Sequence, residues 1–217
     1  MKIALIQCPA WGRQNPPLAL SMLSAYLKSQ GKEVYNFDLN NRLFCRVKAE
    51  DKLLWQLSNE EFWEDKQKVL KFASDYKELI DDCINEVLQT DAAIIGFSIF
   101  NSSKEFSLLM AKEIKDKALD KIIIFGGPHC FPHVQGLQII QEECVDVMVI
   151  GEGEVTLDAL VSQVESLGRV NFCEGAWVKK QDRVIDYGNR ALISELNKLP
   201  FADFTDFALD SYGESHR

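Results

Sequence analysis

Short apolar runs alternate with longer amphipathic segments along most of this chain. The runs are too short for helices and carry the aliphatic residues of buried strands. They predict five strands, at 2–7, 33–37, 92–99, 121–125 and 145–150. Strands that alternate with helical segments are typical of a parallel sheet with right-handed crossovers.

The segments between the strands have apolar residues three and four positions apart, as amphipathic helices do. Pro16-Pro17 opens the first helix, and Gly31 suits the residue just beyond its last turn. Ser102 and Glu105 fit a capping box at the start of the helix after the third strand. Further helices are predicted at 53–63, 66–90, 134–143 and 156–167.

Two other segments interrupt this alternation. Residues 32–95 contain no glycine and no proline, which predicts a helical insertion at about 43–90, after the second strand. The periodicity changes again after Gly168, where residues 175–178 and 183–187 predict a hairpin, and an extended tail follows it.

These elements predict an α/β fold of the doubly wound, flavodoxin-like (Rossmann-like) type. Its sheet would have five parallel strands in the order 2-1-3-4-5. The α/β unit is predicted to span residues 1–168, and the hairpin and tail to span residues 169–217. The chain has 217 residues, 47% of them hydrophobic, which is enough for one such domain with an appendage.

Charge and cysteine usage exclude several classes of function. The net charge is −9 without a basic stripe, which argues against nucleic acid as the main partner. No apolar run reaches the length of a membrane span, and residues 1–6 enter a strand at once, unlike a signal peptide. The six cysteines are scattered without a CxxC pair, so we expect reduced thiols in a cytoplasmic protein, without a zinc or iron–sulfur site.

Three of the predicted strands end at glycine. Gly96 ends the third strand, Gly126-Gly127 the fourth, and Gly151 follows the fifth. In an open α/β sheet the carboxyl ends of neighbouring strands line the ligand crevice, so these glycines predict one site where backbone approaches a ligand closely. The loop after the first strand, residues 8–15, would lie beside them.

Several familiar ligand loops are absent from these positions. The P-loop pattern GxxxxGK[ST] does not occur, and the first strand is not followed by a dinucleotide fingerprint. The loop also lacks the hydroxyls of a flavodoxin phosphate site. A phospho-receiver domain would need an aspartate where the third strand here has Gly96 and Ser98. What remains is a large, mostly uncharged ligand.

At this point the sequence resembles the N-terminal cobalamin (B12)-binding domain of cobalamin-dependent radical S-adenosylmethionine (SAM) enzymes. The order and spacing of several short motifs carry the resemblance. They are PPLAL at 16–20 with Leu27-Lys28 and Gly31, DLN at 38–40, IGFS at 95–98, GGPH at 126–129, GEGE at 151–154 and LPFAD at 199–203.

The resemblance implies that cobalamin binds base-off, with its dimethylbenzimidazole tail buried between strands and helices. Ser98 would then lie near the tail, and Gly126 and Gly127 would leave room for it. The loop at residues 8–15 would face the lower side of the corrin ring and place Trp11 and Arg13 near cobalt, with Asn15 beside them.

Two departures qualify the resemblance. Residues 8–13 contain no histidine, unlike the DxHxxG loop of methionine synthase and the mutases, so we expect no histidine ligand to cobalt from this loop. The cluster motif CxxxCxxC is also absent. The 4Fe–4S cluster and SAM would therefore belong to a radical SAM barrel, in cis or in trans, in an enzyme that performs methyl transfer or related radical chemistry; this chain would be non-catalytic alone.

The candidate residues all contact the cofactor in this interpretation, and none is assigned as catalytic or as a metal ligand. They are Trp11, Arg13, Asn15, Pro17, Gly96, Ser98, Asn101, Gly126, Gly127, Pro128, His129, Gly151, Glu152 and Gly153.

Plainer interpretations stay open for several of these residues. His129 closes a turn in one interpretation and meets cobalt or a corrin amide in the other. Glu152 and Glu154 suit the start of the next helix, where the dipole favours carboxylates. His133 and His216 are expected at the surface, and the acidic tail residues Asp203, Asp206 and Asp210 on a solvated face.

A rival function is a flavodoxin-like interaction module that binds no corrinoid. In that case Phe201, Phe204 and Phe207 would be exposed in the tail and would dock a protein partner.

Overall fold

A sheet of seven strands forms the centre of the protein, in a computed structural model that describes residues 1–131, 134–181 and 183–213. His133 and His216 lie outside these ranges. The strands are β1 (Lys2–Gln7), β2 (Glu33–Asp38), β3 (Ile94–Ser98), β4 (Ile122–Gly126), β5 (Val147–Val149), β6 (Ala176–Lys180) and β7 (Arg183–Asp186).

The strand order is β2-β1-β3-β4-β5-β6-β7. The first five strands are parallel and follow the predicted order, whereas β6 and β7 are antiparallel. The prediction of a five-stranded parallel sheet is therefore wrong in strand number. The predicted hairpin exists, but it continues the sheet beyond β5, because β6 pairs with β5 through Val147↔Val178 and Val149↔Ala176.

Helices cover both faces of the sheet. They are α1 (Leu18–Ser29), α2 (Leu39–Arg46), α3 (Glu60–Glu64), α4 (Lys66–Asp75), α5 (Lys77–Gln89), α6 (Lys104–Lys117), α7 (Val134–Gln141) and α8 (Glu154–Leu167). Short 3-10 turns occur at Glu50–Trp55, Leu57–Asn59, Leu196–Lys198 and Leu209–Ser211. No helix in the described ranges combines the length and apolar character needed to cross a membrane.

The insertion is more broken than its periodicity predicts. The single helix expected at 66–90 is divided at Tyr76, whose backbone leaves the helical region with φ −118° and ψ 29°. The Tyr76 hydroxyl donates to a carboxylate oxygen of Asp51 and accepts from the Lys48 amide, so contacts within the insertion hold this break in place. The expected helix at 53–63 is two 3-10 turns followed by α3.

The two faces of the sheet bury separate apolar cores. The insertion and α6 cover one face, with Trp63, Phe72 and Phe106 packed edge to face. The other core contains Leu20 of α1 and Leu160 of α8. Burial of this much aromatic and aliphatic surface is the main stabilising contribution to the fold.

The tail packs on the domain. Phe207 is only 7% exposed and belongs to the core beneath α1 and α8, while Phe201 is fully exposed. Asp206 and Asp210 are exposed, as expected of a solvated face, whereas Asp203 is partly buried; Asp203 and Asp206 both form ion pairs with Lys28. The burial of Phe207 contradicts an exposed surface made of all three tail phenylalanines.

Candidate functional site

The carboxyl ends of β1, β3 and β4 lie side by side. Gln7 is in register with Ser98, and Ser98 with Gly126. The end of β5 flanks them, because a β-carbon built on Gly126 would lie 3.6 Å from Cβ of Val149. The loops that follow these strands therefore share one edge of the sheet, as expected for a ligand crevice in this fold.

The loop after β1, residues 8–15, is called the site loop below. Buried Asn40 holds it, because its Oδ1 accepts from the Trp11 amide at 3.0 Å and its Nδ2 donates to the Trp11 carbonyl at 3.1 Å. The same Oδ1 accepts from the Trp55 indole at 2.8 Å. The Ser102 hydroxyl donates to the Ala10 carbonyl at 2.8 Å. The start of α2 and the region after β3 thus both position the site loop, and Trp55 of the insertion bonds to the same Asn40.

The predicted capping box at Ser102 does not form. Ser103, not Ser102, precedes α6, and its hydroxyl accepts from the Phe100 amide at 2.9 Å. The Ser102 hydroxyl is used by the site loop, and the Glu105 carboxylate pairs with Lys104. Sequence spacing alone could not reveal this, because the competing partner of Ser102 is 92 residues away.

A cavity of about 380 Å³ opens beside the site loop. Trp11 is 43% exposed at its mouth and stacks on Phe100, with ring centroids 3.7 Å apart and planes 13° apart. The lining residues are uncharged: Gln7, Trp11, Gly12, Gln14, Asn15, Pro16, Pro17, Leu18, Ala19 and Phe100. This wall suits a ligand that is bulky and carries little charge. Gln7 and Phe100 were missed in the sequence, where they resemble ordinary strand-end residues.

Arg13 lies on the other side of the site loop. Its guanidinium stacks over the Phe44 ring at 3.0 Å from the centroid, and its Nη2 donates to Asn41 Oδ1 at 3.5 Å. The structure therefore brings Trp11, Asn15 and Pro17 to the cavity, but directs the Arg13 side chain towards α2.

Ser98 ends β3 at this edge of the sheet. It is 7% exposed, and its hydroxyl oxygen has no hydrogen-bond partner among the described residues. A buried hydroxyl without a partner is costly, so an orphaned one at a strand end is a candidate ligand contact. Gly96, two residues earlier, packs against β1, since a β-carbon there would lie 3.0 Å from Cδ2 of Leu5.

The two glycines after β4 differ in what surrounds them. A β-carbon on Gly127 would lie 2.8 Å from the Ile99 nitrogen and 2.9 Å from its oxygen, and φ there is +104°. Contacts within the protein therefore require glycine at position 127. This reason is separate from the expectation that the glycine leaves room for a ligand. Gly126 meets only ordinary contacts, so a β-carbon could be accommodated there.

Backbone hydrogen bonds close the turn at His129. Its amide donates to the Ile99 carbonyl at 3.2 Å, which agrees with the turn-closing interpretation. Burial, reinforced by Lys104 and opposed by Glu64, lowers the pKa of the imidazole. Asn101 is exposed and donates to the Glu64 carboxylate, while Pro128 is exposed beside His129.

The turn after β5 holds the tail as well as starting a helix. Gly151 is exposed with φ +78°, and Gly153 precedes α8, whose first turn contains Glu154. Glu152 accepts from the Ile193 amide at 2.6 Å, so the expectation that it caps α8 is wrong. Its carboxylate instead anchors the start of the tail.

The thiols and acids near the crevice do not form a metal centre. Burial raises the pKa of Cys8 in the site loop to about 12 and also raises that of Cys130. Both are therefore protonated at neutral pH. Within the described ranges, no group of three or more histidine, cysteine, aspartate or glutamate side chains is arranged to hold a metal ion.

Comparison with known proteins supports the interpretation of this edge. Residues 65–161 match the family model described as the B12 binding domain, which confirms the predicted resemblance. The matched segment includes Ser98, Gly126 to His129 and Gly151 to Gly153, whereas the site loop lies outside it.

The relatives are longer proteins. An uncharacterized methyltransferase, PH0819 of Pyrococcus horikoshii, is 24% identical over 131 residues, which are 60% of this chain and 28% of that protein. The structure of the radical SAM methyltransferase TsrM of Kitasatospora setae with tryptophan substrate and a SAM analogue is similar, with TM-score 0.58 and 16% identity. The match covers 86% of this chain and 30% of TsrM.

A second solved structure shares the fold. The cobalamin-dependent SAM radical enzyme OxsB with aqua-cobalamin bound matches with TM-score 0.57 and 16% identity. It covers 88% of this chain and 22% of OxsB. The chain therefore spans less than a third of the length of each of these relatives.

Proposed function

We propose that this chain binds cobalamin base-off in the crevice at the ends of β1, β3 and β4. It would do so as the cofactor-binding part of a radical SAM enzyme. Substitution of Ser98 tests this binding most directly. The observation that carries the proposal is the orphaned Ser98 hydroxyl at the carboxyl end of β3, within the segment that matches the B12 binding domain.

The chemistry of the crevice fits such a cofactor. A corrinoid is large and has a periphery of neutral amides, which suits the uncharged wall of the cavity and the exposed stacked pair of Trp11 and Phe100. Ser98 could offer a hydroxyl to the buried tail, satisfying an atom that otherwise lacks a partner. The exposed backbone at Gly151 allows close approach of a ligand from the neighbouring strand end.

The site loop offers no strong lower ligand to cobalt. It contains no imidazole, and the raised pKa of Cys8 keeps that thiol from supplying a thiolate. We therefore propose that the bound cobalamin has its own base displaced from cobalt and that no histidine of the protein replaces it.

The residues of this chain determine which parts of the proposed reaction it could support. When bound, cobalamin supplies a cobalt centre that can carry a methyl group, and the protein supplies binding and environment. Residues 1–168 would hold the cofactor, while the iron–sulfur cluster and SAM would be bound by a barrel in cis or in trans. Methyl transfer or related radical chemistry is therefore proposed for the assembled enzyme only.

The test is retention of hydroxocobalamin after desalting, followed by its absorption spectrum. The wild-type chain should retain the cofactor with a base-off spectrum. Ser98→Ala should bind it about ten-fold more weakly, a loss expected for one hydrogen bond to a buried partner. The thermal stability of the free protein should not fall, because this hydroxyl has no partner among the described residues.

The control is Ser166→Ala, which alters an exposed serine on α8 and should leave retention unchanged. A colourless wild-type protein would overturn the proposal and favour the interaction module. Equal affinity of Ser98→Ala and wild type would remove Ser98 from the site.

A further inference from the structure

The last part of the tail returns to the site loop. Residues 203–213, called the strap below, cross α1 and the edge of β2. The Asp203 amide donates to the Ser21 carbonyl at 3.1 Å, and Lys28 pairs with Asp203 at 2.6 Å. Asn36 of β2 donates to Asp206 at 2.8 Å, and buried Phe207 anchors the centre of the strap in the core.

The end of the strap meets the residues that hold the site loop. The Tyr212 hydroxyl donates to Asp38 Oδ2 at 2.6 Å, and Asn41 Nδ2 donates to the Ser211 hydroxyl at 2.5 Å. The Gly213 amide donates directly to the Arg13 carbonyl at 3.3 Å. Three contacts therefore join the strap to the site loop or to its supports.

Asp38 and Asn41 serve both segments. Asp38 Oδ1 accepts from the Asn41 amide at 2.9 Å, which caps α2, while Asn41 Oδ1 accepts from the Arg13 guanidinium. Asn40, between them in sequence, clamps the Trp11 backbone. The start of α2 is thus a shared support, with the strap on one side and the site loop on the other.

Among these contacts, the Tyr212 hydrogen bond is expected to contribute most to holding the start of α2 in place. Burial raises the pKa of the Asp38 carboxyl, and donation from Tyr212 opposes that effect. Burial also raises the pKa of Tyr212, with a further contribution from Asp38, so the phenol stays protonated and remains a donor. Removing it would leave a buried carboxylate oxygen without this donor, which costs more than losing a solvated contact.

We propose that Tyr212 is a positioning residue for the site loop, and that the strap thereby couples to ligand binding at the cavity. The effect on the loop follows from contacts within the chain. The effect on cobalamin rests on the proposed function. If the docked strap strengthens ligand binding by a given factor, linkage requires that the bound ligand favour docking of the strap by the same factor.

Hydrogen–deuterium exchange tests the first part without any cofactor. In Tyr212→Phe, the Trp11 amide that donates to Asn40 should exchange about ten-fold faster, as expected for the loss of one supporting hydrogen bond. Amides of β3 should keep wild-type protection, which verifies that the variant is folded. Unchanged exchange in residues 8–15 would overturn the proposal.

The matched control is Tyr187→Phe, which removes the hydroxyl of a tyrosine whose ring meets Phe172 edge to face near the opposite edge of the sheet. It should leave the site loop unaffected. A general loss of stability would accelerate exchange in β3 as well, and equal effects of the two variants would contradict a specific role for Tyr212.

Titration with hydroxocobalamin tests the second part. Tyr212→Phe should bind it about ten-fold more weakly, and cobalamin should slow chymotryptic cleavage of the strap in wild type. If wild type binds no cobalamin, the proposed function fails while the exchange result still decides the positioning role. If both proteins bind equally tightly despite faster exchange in the variant, the coupling to ligand is wrong.

Discussion

The site loop and the turn after β4 border the same crevice but are held by different kinds of contact. Side chains from distant parts of the chain hold the site loop: Asn40, Ser102 and the stacked Phe100. Among the described residues, backbone hydrogen bonds close the turn at residues 126–130, from the Ile99 amide to the Gly126 carbonyl and from the His129 amide to the Ile99 carbonyl. One wall of the crevice can thus be adjusted by side-chain changes, while the other depends on main-chain geometry.

The comparison explains where glycine is indispensable. The Gly127 backbone lies so close to Ile99 that no β-carbon fits, whereas a β-carbon on Gly12 in the site loop would meet nothing within 4 Å. Both glycines occur in loops at strand ends, but only Gly127 combines a positive φ with close backbone neighbours. The Ile99 backbone cannot move aside as the end of a flexible side chain can, so a β-carbon at Gly127 is not accommodated.

The largest effect is expected at Gly127. Gly127→Ala places a β-carbon against the Ile99 backbone at a φ of +104°, so the free energy of unfolding should fall by about 3 kcal/mol. Gly12→Ala should change it by less than about 0.5 kcal/mol. Urea unfolding followed by circular dichroism measures both values. Equal urea midpoints for Gly127→Ala and Gly12→Ala would show that the two loops tolerate a β-carbon equally well, contrary to this expectation.

Asn40→Ala should have the next largest effect. It removes the partner of the Trp11 amide, the Trp11 carbonyl and the Trp55 indole, so the free energy of unfolding should fall by about 2 kcal/mol. Acrylamide quenching of tryptophan fluorescence should also rise as the site loop loosens. Asn101→Ala, at an exposed asparagine nearby, is the control and should leave both quantities near wild type. A fully stable Asn40→Ala would contradict side-chain support of this wall.

The smallest effect is expected at the partly exposed ion pair on the strap. Lys28→Met should lower the free energy of unfolding by about 0.5 kcal/mol at pH 7. Donation from Lys28, with Thr205, lowers the pKa of Asp203 from 3.8 to about 2. A carboxyl group whose pKa is lower in the folded protein stabilises the fold at pH values above its unfolded-state pKa. This stabilisation is lost as the pH falls through the folded-state pKa.

The difference between wild type and Lys28→Met should therefore be constant above pH 3.8 and shrink towards about pH 2. Urea unfolding at several pH values and two salt concentrations measures it. A difference that grows on acidification has the opposite sign from this linkage and would show that Lys28 acts through another group.

Local patterns predicted the strands and the glycine turn, because both depend on neighbours in sequence. β1 has the predicted bounds, and Gly168 ends α8 in the left-handed conformation expected of a helix stop. The five parallel strands also have the predicted order. Hydrophobic periodicity could not show that β6 extends the sheet, since a hairpin paired to a sheet and a free hairpin have the same pattern.

The supports of the site loop could not be predicted because they are contacts between remote residues. Asn40 is 29 positions from Trp11, and Ser102 is 92 from Ala10. The DLN motif at 38–40 indicated that the region mattered, but nothing in its spacing assigned Asn40 to the Trp11 backbone. The strap contacts of Tyr212 span 174 residues and leave no local signal at all.

The proposed binding mode of cobalamin is base-off, with no nitrogen ligand from the protein. Electron paramagnetic resonance of reduced cob(II)alamin bound to 15N-labelled protein distinguishes the possible axial ligands, since the nuclear spin of an axial nitrogen splits each cobalt line. The bound cofactor should show no axial-nitrogen splitting. Splitting into three lines would mean that the cofactor's own base remains attached, and splitting into two would mean a histidine from the protein; either result would contradict the proposed binding mode.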